Sequence, residues 1–370
     1  MGAVFGMART AADALVAFQE AGPLGSLRPR RPQAARRGGA RKQKAGSGRF
    51  ALRRLGWANP MLPIINGFAC GGVTDMKVVD LFAGCGGLSL GFEQAGYEVV
   101  AAFEYWEAAA NCHRANFSHP VERLDLSDVD AAVSQIRKYG ADMIVGGPPC
   151  QDFSHAGKRV ENVRAGLTQS FAAIVAGLAP RCFVMENVER ARASQAYAAA
   201  RKIFKEAGYG LTEIVLDASL CGAPQKRKRF ICFGALGQDD GFALGAFRAR
   251  LARKPMTLRD YFGDALGFEC YYRHPRNYNR RAVFSIDEPA PTMRGVNRPI
   301  AKGYPGHKND ACPVTKDLHV LTFSERALIQ TFPKDFKWVG AKTDVEQMIG
   351  NAVPVNLARF VGETVKGFVG

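Results

Sequence analysis

A cysteine and a glutamate each follow a short apolar stretch of the sequence, and the two stretches are successive along the chain. Cys150 ends the run Gly-Gly-Pro-Pro-Cys after the apolar stretch Asp142–Val145, and Glu186 follows the next apolar stretch, Arg181–Met185. A cysteine thiolate is the most nucleophilic ordinary side chain, although a thiol with a pKa of about 8.5 is only partly ionised at neutral pH. A carboxyl group beside it can protonate a substrate as the thiolate attacks. The pair therefore predicts covalent catalysis with acid assistance.

Both residues are expected at one edge of a parallel sheet. After Met76, short apolar runs alternate with amphipathic stretches, which predicts an α/β fold with a Rossmann-like, doubly wound sheet. Further strands are expected at Lys77–Phe82, Glu98–Phe103 and Val121–Leu124, with an edge hairpin of Leu211–Leu216 and Phe230–Phe233. One crossover helix separates the strands before Cys150 and Glu186, so we predict that these strands are neighbours about 5 Å apart.

A glycine-rich turn follows the first strand and opens a helix. It reads Asp-Leu-Phe-Ala-Gly-Cys-Gly-Gly-Leu over residues 80–88, and its glycines let a ligand approach the backbone at the carboxyl end of the strand. The spacing Gly-x-Gly-Gly differs from that of a pyrophosphate cradle, so a NAD-dependent oxidoreductase is the weakest alternative. Glu104 ends the second strand, where a carboxylate can hold ribose hydroxyls, and Tyr105 can stack on adenine. A nucleoside-containing cofactor is predicted.

The order of these motifs resembles the cytosine-C5 DNA methyltransferase family of the bacterial restriction-modification type. The blocks are DLFAGCGG, Glu104-Tyr105, Asp125, PPCQ, ENV, QKRKR at 225–229 and GNAVP at 350–354, and the likeness spans 76–370. The resemblance implies that Cys150 attacks C6 of a flipped cytosine while Glu186 holds and protonates N3. C5 then takes a methyl group from S-adenosylmethionine. Double-stranded DNA is the implied substrate.

The resemblance also implies supporting residues around the reactive pair. Arg227, the middle arginine of QxRxR, is expected to contact the cytosine O2 as an electrostatic clamp. Gln225 and Arg229 are expected to support the catalytic loop. Asn187 is expected to support the turn that bears Cys150. No metal site is predicted.

The cofactor residues that the resemblance implies fall into three groups. The sulfonium and amino-acid end is assigned to Phe82, Gly84, Gly86, Gly87 and Leu88. The nucleoside is assigned to Glu104 for the ribose, Tyr105 for the adenine face, and Asp125 and Leu126 for the adenine edge. The remaining wall is assigned to Gly147, Pro148, Leu167, Asn351 and Ala352. Because Asn351 lies near the end of the chain, the last helix is expected to pack on the first domain.

The charge balance favours a polyanionic partner. The chain has 50 Lys and Arg against 34 Asp and Glu, a net charge of +16, and each phosphate contact releases counterions. Residues 1–75 hold 12 of the basic and 3 of the acidic residues, so the rest of the chain is only moderately basic. The residues expected to contact DNA are Ser154, Lys158, Arg159, Arg276, Arg280, Arg281, Arg294 and Arg298. Arginine can pair with phosphate or guanine. His155 is interpreted as a loop residue rather than a general base.

Composition divides the chain into four parts. Residues 1–75 are predicted to be a basic, disordered extension, with an over-long start, a DNA-gripping arm and a targeting segment as the alternatives. Residues 76–234 form the predicted catalytic domain, 235–320 a smaller target-recognition domain rich in aromatic, Arg, Pro and Gly residues, and 321–370 the returning C-terminal helices. One helix is expected at Thr322–Thr331, capped by Thr322 or Ser324. Another is expected to begin near Pro354, with Asn351 as its cap.

Cysteine usage and hydropathy predict the compartment. The nine cysteines include no CxxC pair, which favours a reducing cytosol, and no stretch of the sequence reaches the length of a membrane span. We expect a monomer in the bacterial cytoplasm, associated with the nucleoid, with a cognate restriction endonuclease as a candidate partner.

A tRNA cytosine methyltransferase is the closest alternative, disfavoured by Ser154 and by the Arg-rich block. A non-catalytic DNA-binding homologue would be expected to have lost Cys150 or Glu186.

Overall fold

The structure, a computed structural model, describes residues 75–149 and 161–368. The strands are β1 (Lys77–Leu81), β2 (Glu98–Phe103), β3 (Val121–Glu122), β4 (Met143–Gly146), β5 (Cys182–Val188), β6 (Tyr209–Asp217), β7 (Gln225–Lys226), β8 (Lys228–Leu236), β9 (Cys270–Tyr272), β10 (Val283–Ser285), β11 (Ala290–Pro291) and β12 (His319–Val320). The helices are α1 (Gly87–Gln94), α2 (Glu107–Arg114), α3 (Val129–Arg137), α4 (Glu161–Leu178), α5 (Gln195–Glu206), α6 (Leu244–Arg250), α7 (Leu258–Phe262), α8 (Phe323–Ile329), α9 (Lys342–Asn351) and α10 (Val355–Val365). The predicted extension, up to residue 74, lies outside the described residues, as do Cys150, Ser154, His155, Lys158 and Arg159.

The main sheet has seven strands in the order β3-β2-β1-β4-β5-β8-β6. β1 to β5 run parallel, whereas β8 is antiparallel to both of its neighbours, β5 and β6. The predicted edge hairpin is therefore confirmed, and its strands are longer than the apolar runs that predicted them. The predicted doubly wound sheet is confirmed as well, because separate hydrophobic cores cover its two faces.

Helices pack on both faces of the sheet. On one face α1 and α10 bury Phe92, Leu357 and Val361 against the strands. On the other face α4 and α5 bury side chains such as Phe171 and Phe204. Strands that are covered on both faces read as continuous apolar runs, which is why short runs of Val, Ile and Phe were sufficient to locate them.

The strand order reverses between β1 and β4. At such a switch point the crossover helices diverge to opposite faces and leave a crevice at the carboxyl ends of the strands. β4 and β5 are hydrogen-bonded neighbours, with Gly146 opposite Met185, so the predicted adjacency of the two motif-bearing strands is confirmed. The segments that follow β1, β2, β4 and β5 therefore meet at one edge.

A smaller layer follows the main sheet in the chain. β10, β9 and β12 form a three-stranded sheet, and Leu258, Tyr271 and Ile286 are buried in a core of their own. Ala243 and Phe247 still lie in the main core. The structure thus keeps the first part of the predicted 235–320 segment on the catalytic sheet.

The C-terminal helices return to the first strands. α8 begins with a capping box in which Thr322 and Glu325 bond each other's backbone amides, so Thr322 rather than Ser324 is the cap. α9 was not predicted, and Asn351 is its last residue. The prediction that Asn351 caps the last helix is therefore wrong.

The cap of α10 comes from outside its own sequence neighbourhood. Pro354 precedes the helix and has no side-chain hydrogen bond to offer. The amide of Val355 instead donates to the Gln330 carbonyl at 3.1 Å, and the amide of Asn356 to Thr331 Oγ1 at 2.9 Å. These bonds satisfy helix amides that would otherwise be unpaired.

Across the two described stretches of the chain, no helix combines the length and the apolar content that crossing a bilayer requires.

Candidate active site

The glycine-rich turn between β1 and α1 has a constrained backbone. Gly86 precedes α1 with φ of 97°, and a Cβ placed there would lie 2.4 Å from the Phe117 ring. Phe82, at the end of β1, also has a positive φ of 57°, which is unfavourable for a residue with a side chain. Backbone strain of this kind clusters at ligand-binding and active sites. A Cβ on Gly84 would meet nothing within 4 Å, so there is open space in front of the turn.

Glu104 fixes this turn from the end of β2. Its Oε2 accepts a hydrogen bond from the Gly84 amide at 2.8 Å, and its Oε1 accepts one from the Trp106 amide at 2.7 Å. Burial raises the pKa of the Glu104 carboxyl. Each oxygen retains a second lone pair, which leaves capacity for a bound hydroxyl.

A second acidic group lies beneath the turn. Asp80 is fully buried in β1, and its Oδ2 accepts from the Ser89 amide at 3.1 Å and from the Ser89 hydroxyl at 2.7 Å. Its Oδ1 has no hydrogen-bond partner within the described residues. Burial raises the pKa of Asp80 to about 7, and the nearby Glu104 contributes in the same direction. A buried acid and a half-buried acid below an open glycine turn suit a ligand that carries hydroxyls.

The other residues that were expected to bind the cofactor differ in how far their side chains are exposed. Tyr105 is 65% exposed, so its ring face is accessible for stacking. Asp125 is exposed, and its Oδ1 accepts from the Ser127 amide and hydroxyl, whereas Leu126 is buried. Leu167 on α4 is half-buried.

Two expected cofactor residues face the protein instead. The Leu88 side chain lies in the main core with Phe92. A Cβ on Gly87 would lie 2.4 Å from the Val353 carbonyl oxygen, so Gly87 permits close packing of the C-terminal segment. Only the backbone of Leu88 and Gly87 remains for a ligand. At the C-terminal end, Asn351 is exposed and accepts a hydrogen bond from Gln347 at 2.7 Å, and Ala352 is half-buried.

Glu186 lies at the carboxyl end of β5 and is 7% exposed. Its Oε2 would be 3.2 Å from a Cβ on Gly147, so the carboxylate lies directly against the turn that leads to Cys150. Its Oε1 is 2.7 Å from Arg229 Nε in a largely buried ion pair. Burial raises the pKa of the Glu186 carboxyl, although Arg229 and Arg227 act in the opposite direction.

The antiparallel pairing of β5 and β8 explains this contact. Arg229 is opposite Val188 in the register, so Glu186 is two residues along and on the same face of the sheet. Diagonal neighbours on one face are within reach of a long side chain. The local hydrogen-bonding pattern of the hairpin therefore places a guanidinium on the buried carboxylate.

Arg227 occupies a different place from the one expected. Its Nη1 donates to the Met293 carbonyl at 3.1 Å, and its Nη2 donates to the carbonyls of Gly350 and Ala352, each at 3.0 Å. The side chain is almost completely buried. Arg227 thus joins three backbone segments, and it is Arg229 that touches the carboxylate of Glu186. Of the two arginines, Arg229 therefore lies at the carboxylate and Arg227 lies in the internal network.

Gln225 extends this internal network. Its Oε1 accepts from the Met293 amide at 2.8 Å, and its Nε2 donates to Gln330 Oε1 at 2.7 Å. Gly350 packs so closely here that an added Cβ would lie 2.0 Å from the Gly295 amide nitrogen. Met293, Gly295 and Gln330 were not singled out from the sequence, since no local pattern marks a residue whose backbone receives a bond from far along the chain.

Asn187 supports the turn before the predicted nucleophile. Its Nδ2 donates to the Pro148 carbonyl at 3.0 Å, and its Oδ1 accepts from the Val188 amide at 2.8 Å. Pro148 is buried. These bonds fix the path of the chain two residues before Cys150, which itself lies outside the described residues.

The arginines of the smaller layer fall into two groups. Arg276, Arg280 and Arg298 are exposed. Burial lowers the pKa of Arg294, and the nearby charges of Arg276 and Arg298 lower it further. Arg281 is instead paired with Glu288, with Nη1 2.9 Å from Oε2. Among the five arginines of this layer that were expected to contact DNA, Arg281 is therefore neutralised within the protein.

The fold resembles that of known methyltransferases. The Dnmt2 methyltransferase of S. pombe superposes with a TM-score of 0.62 at 16% identity, covering 79% of this chain and 99% of that one. A putative DNA modification methyltransferase encoded within an E. coli prophage superposes with a TM-score of 0.58 at 23% identity, covering 79% and 99%. The chain therefore has a methyltransferase fold.

Sequence comparison identifies the family. The family model described as C-5 cytosine-specific DNA methylase matches residues 76–367. The Type II methyltransferase M.HindV of Haemophilus influenzae is 56% identical over 297 residues, covering 79% of this chain and 97% of that protein. M.HgiDI, a Type II methyltransferase of Herpetosiphon aurantiacus, is 53% identical over 295 residues, covering 80% and 95%. The chain belongs to the C-5 cytosine-specific DNA methylase family. It is a DNA (cytosine-5-)-methyltransferase, and its cofactor is S-adenosylmethionine, as the motifs predicted.

Proposed function

We propose that the enzyme methylates a flipped cytosine in a specific duplex sequence through a covalent adduct with Cys150. The observation that carries this proposal is the position of Glu186. Its carboxylate is buried and pairs with Arg229. It also lies against Gly147, which is three residues before Cys150 in the neighbouring segment. A thiol and a protonatable carboxyl at one sheet edge are the two groups that the reaction needs.

Each protein group has one task in this reaction. The Cys150 thiolate forms a bond to C6 as the proton held by Glu186 passes to N3, so that negative charge does not build up in the ring. The raised pKa of Glu186 favours the protonated form that this transfer requires. After C5 has been methylated, a solvent water takes the C5 proton, the electrons of that C–H bond re-form the C5=C6 double bond as the Cys150 thiolate leaves C6, and N3 returns its proton to Glu186. The reacting face is accessible only when the base leaves the stack, which costs a few kcal/mol.

The roles of the two arginines follow their positions. We assign the contact with the cytosine to Arg229, because it lies beside Glu186 and is 11% exposed. Arg227 is assigned the role of joining the QKRKR segment to Met293 and to the 350–352 segment. Gln225 supports the same junction, and Asn187 supports the turn bearing Cys150.

The residues around the glycine turn fit S-adenosylmethionine. Glu104 would hold the ribose hydroxyls, Tyr105 would cover the adenine, and the backbone of 84–88 would accommodate the amino-acid end. Asp80 and Glu104 lie at the floor of the turn, and because burial raises the pKa of both carboxyl groups, they would act chiefly as hydrogen-bonding groups. When bound, the cofactor supplies an electrophilic methyl group. Phe82, Asp125, Leu126, Gly147, Pro148, Leu167, Asn351 and Ala352 complete the proposed site.

Target recognition is assigned to the smaller layer within 235–320 and to the segment that carries Ser154, Lys158 and Arg159. Arg276, Arg294 and Arg298 concentrate positive charge at one place, and like charges held together favour an anion between them. Phosphate contacts would position the duplex, and arginine contacts with guanine would read it. Arg280 is exposed and can join them, whereas Arg281 is removed from this set.

Replacing Arg276 or Arg298 by alanine is expected to weaken DNA binding and to reduce the salt dependence. Each lost phosphate contact lowers the slope of log K against log salt concentration by about 1. Fluorescence anisotropy with duplex DNA at several salt concentrations measures both quantities. The matched control is Arg281→Ala, whose guanidinium already pairs with Glu288, and whose salt slope should equal that of the wild type. Equal slopes in all four proteins would refute the assignment.

The relatives suggest the biological setting. Both are named Type II methyltransferases and come from bacteria. We extend that role to this chain: it would act in the cytoplasm on chromosomal DNA, as a monomer, and protect sites from a cognate restriction endonuclease.

Methyl transfer from tritiated S-adenosylmethionine tests the substrate. Duplex DNA and tRNA are supplied separately, and DNA from cells expressing the enzyme is then sequenced after bisulfite treatment. We expect label in DNA and fully methylated cytosines confined to one short sequence. Label in tRNA alone, or methylation without a common sequence, would refute the proposal.

A further inference from the structure

Three side chains outside the reaction site form a hydrogen-bonded line to the cofactor turn. His113 Nδ1 is 3.3 Å from the Gly84 carbonyl oxygen, and His113 Nε2 is 2.9 Å from His119 Nε2. His119 Nδ1 is in turn 3.1 Å from Glu93 Oε1. His113 lies on α2, His119 in the segment after α2, and Glu93 on α1. The line therefore connects these three elements to the glycine-rich turn, where Glu104 accepts a hydrogen bond from the Gly84 amide.

Packing fixes the orientation of both imidazoles. His113 is fully buried and His119 is 8% exposed. The Phe117 ring lies against both of them, with centroid separations of 4.3 Å and 5.0 Å. A Cβ on Gly86 would lie 3.2 Å from His113 Cε1, so the ring is in contact with the turn itself. Neither ring can turn away without displacing Phe117.

Three hydrogen bonds along the line require one arrangement of donors and acceptors. A carbonyl oxygen only accepts, so His113 must carry its hydrogen on Nδ1. Burial lowers the pKa of His113 to about 3, which leaves its Nε2 as an acceptor at neutral pH. For the two remaining contacts to be hydrogen bonds, His119 must donate from Nε2 to His113 and from Nδ1 to Glu93 Oε1. The tautomer of His113 is therefore set by His119.

We propose that His119 and Glu93 are positioning residues for the cofactor: they hold His113 in the tautomer that donates to Gly84 and so fix the cofactor-binding turn. The carbonyl of Gly84 is held by His113 while its amide is held by Glu104. The peptide groups on both sides of the Gly84 Cα are then constrained before the cofactor arrives, which lowers the entropy lost on binding. His119 acts on the site without touching it. The inference rests on the placement of S-adenosylmethionine at this turn.

Paired substitutions of His119 separate the tautomer from simple packing. In His119→Leu the donor to His113 Nε2 is lost, and His113 can move its hydrogen to Nε2 and turn a lone pair toward Gly84. In His119→Gln the amide nitrogen can replace the imidazole Nε2–H. We expect the Kd for S-adenosylmethionine, measured by calorimetry without DNA, to rise about fivefold in His119→Leu and to stay within about twofold of wild type in His119→Gln. His113→Phe, which keeps a ring against Phe117, should match His119→Leu.

Two further readouts decide between positioning and general destabilisation. The kcat at saturating cofactor and the Kd for DNA should be unchanged in the His119 variants, because only cofactor binding is affected. Nitrogen-15 spectra of labelled histidine should show His113 protonated at Nδ1 in the wild type and in His119→Gln, and at Nε2 in His119→Leu. Equal affinity in His119→Leu and His119→Gln, or an unchanged tautomer, would overturn the inference.

Glu104→Gln distinguishes a failure of this inference from a failure of the cofactor placement. If Glu104→Gln weakens S-adenosylmethionine binding and the His119 pair does not differ, the placement stands and the positioning role is refuted. If Glu104→Gln also binds the cofactor as the wild type does, the placement at the turn is refuted, and the positioning role with it.

Discussion

Replacement of Glu186 by glutamine is expected to lower kcat by about a hundredfold to ten-thousandfold, the range that a positioned acid contributes. Glutamine retains the size of the side chain and can hydrogen-bond to the base, but it cannot deliver a proton to N3. Without that proton, attack at C6 places negative charge in the ring. Binding of DNA and S-adenosylmethionine should persist. Single-turnover methyl transfer with pre-bound DNA measures the effect on the reaction directly.

Glu189→Gln is the matched control for this substitution. Glu189 lies three residues further along the chain, and its exposed carboxylate is 3.5 Å from Lys228 Nζ. Exposed ion pairs contribute little, so this variant should retain the kcat of the wild type. A Glu186→Gln enzyme as fast as Glu189→Gln would remove Glu186 from the mechanism.

Replacement of Arg227 by methionine is expected to reduce the free energy of unfolding by about 3–5 kcal/mol, since the carbonyls of Met293, Gly350 and Ala352 lose the hydrogen bonds that its buried guanidinium donates. The loss should be seen in urea or guanidinium denaturation as a lower midpoint. Cofactor and DNA binding should weaken together, because Met293 and the 350–352 segment are released from the QKRKR segment.

Two variants show whether this loss belongs to the internal network. Arg253→Met removes an exposed arginine and should change stability by less than about 0.5 kcal/mol. Arg229→Met removes the partner of Glu186 and should lower kcat more than Arg227→Met does at equal folded fraction. The opposite outcome is that Arg227→Met is as stable as Arg253→Met while its kcat falls to the level of Arg229→Met. That result would show that Arg227 contacts the cytosine, as the sequence predicted, and would contradict its role in the internal network.

The sheet and its reactive edge were predictable because their signals are local. A covered parallel strand is a short apolar run, and a motif that follows it must lie at the carboxyl edge. The positions of Glu104, Glu186 and the glycine turn follow from this rule. The edge hairpin followed from two β-rich runs on either side of a short loop.

The arrangement of the two arginines could not be read in the same way. Arg227 and Arg229 are two residues apart in a strand-like segment, so sequence shows only that they share a face. The partners of Arg227 lie 66 to 125 residues further along the chain. α9 was missed and the cap of α10 was misassigned for a similar reason, since Gln330 and Thr331 cap a helix that begins far beyond them.

The histidine line is a third case of long-range pairing. His113 and His119 are six residues apart with an aromatic residue between them, but nothing in that spacing shows that His113 contacts Gly84 or that His119 contacts His113. Only the packing of α2 beside the turn brings them together.

Trapping on DNA that contains 5-fluorocytosine tests the central claim most directly. Fluorine at C5 cannot leave as a proton does, so a cysteine bonded to C6 stays attached after methyl transfer. With duplex substrate and S-adenosylmethionine, we predict a stable protein–DNA adduct whose peptide maps to Cys150 by mass spectrometry and which is absent in Cys150→Ser. An adduct that persists in Cys150→Ser, or methylation of normal DNA by that variant at the rate of the wild type, would contradict the account.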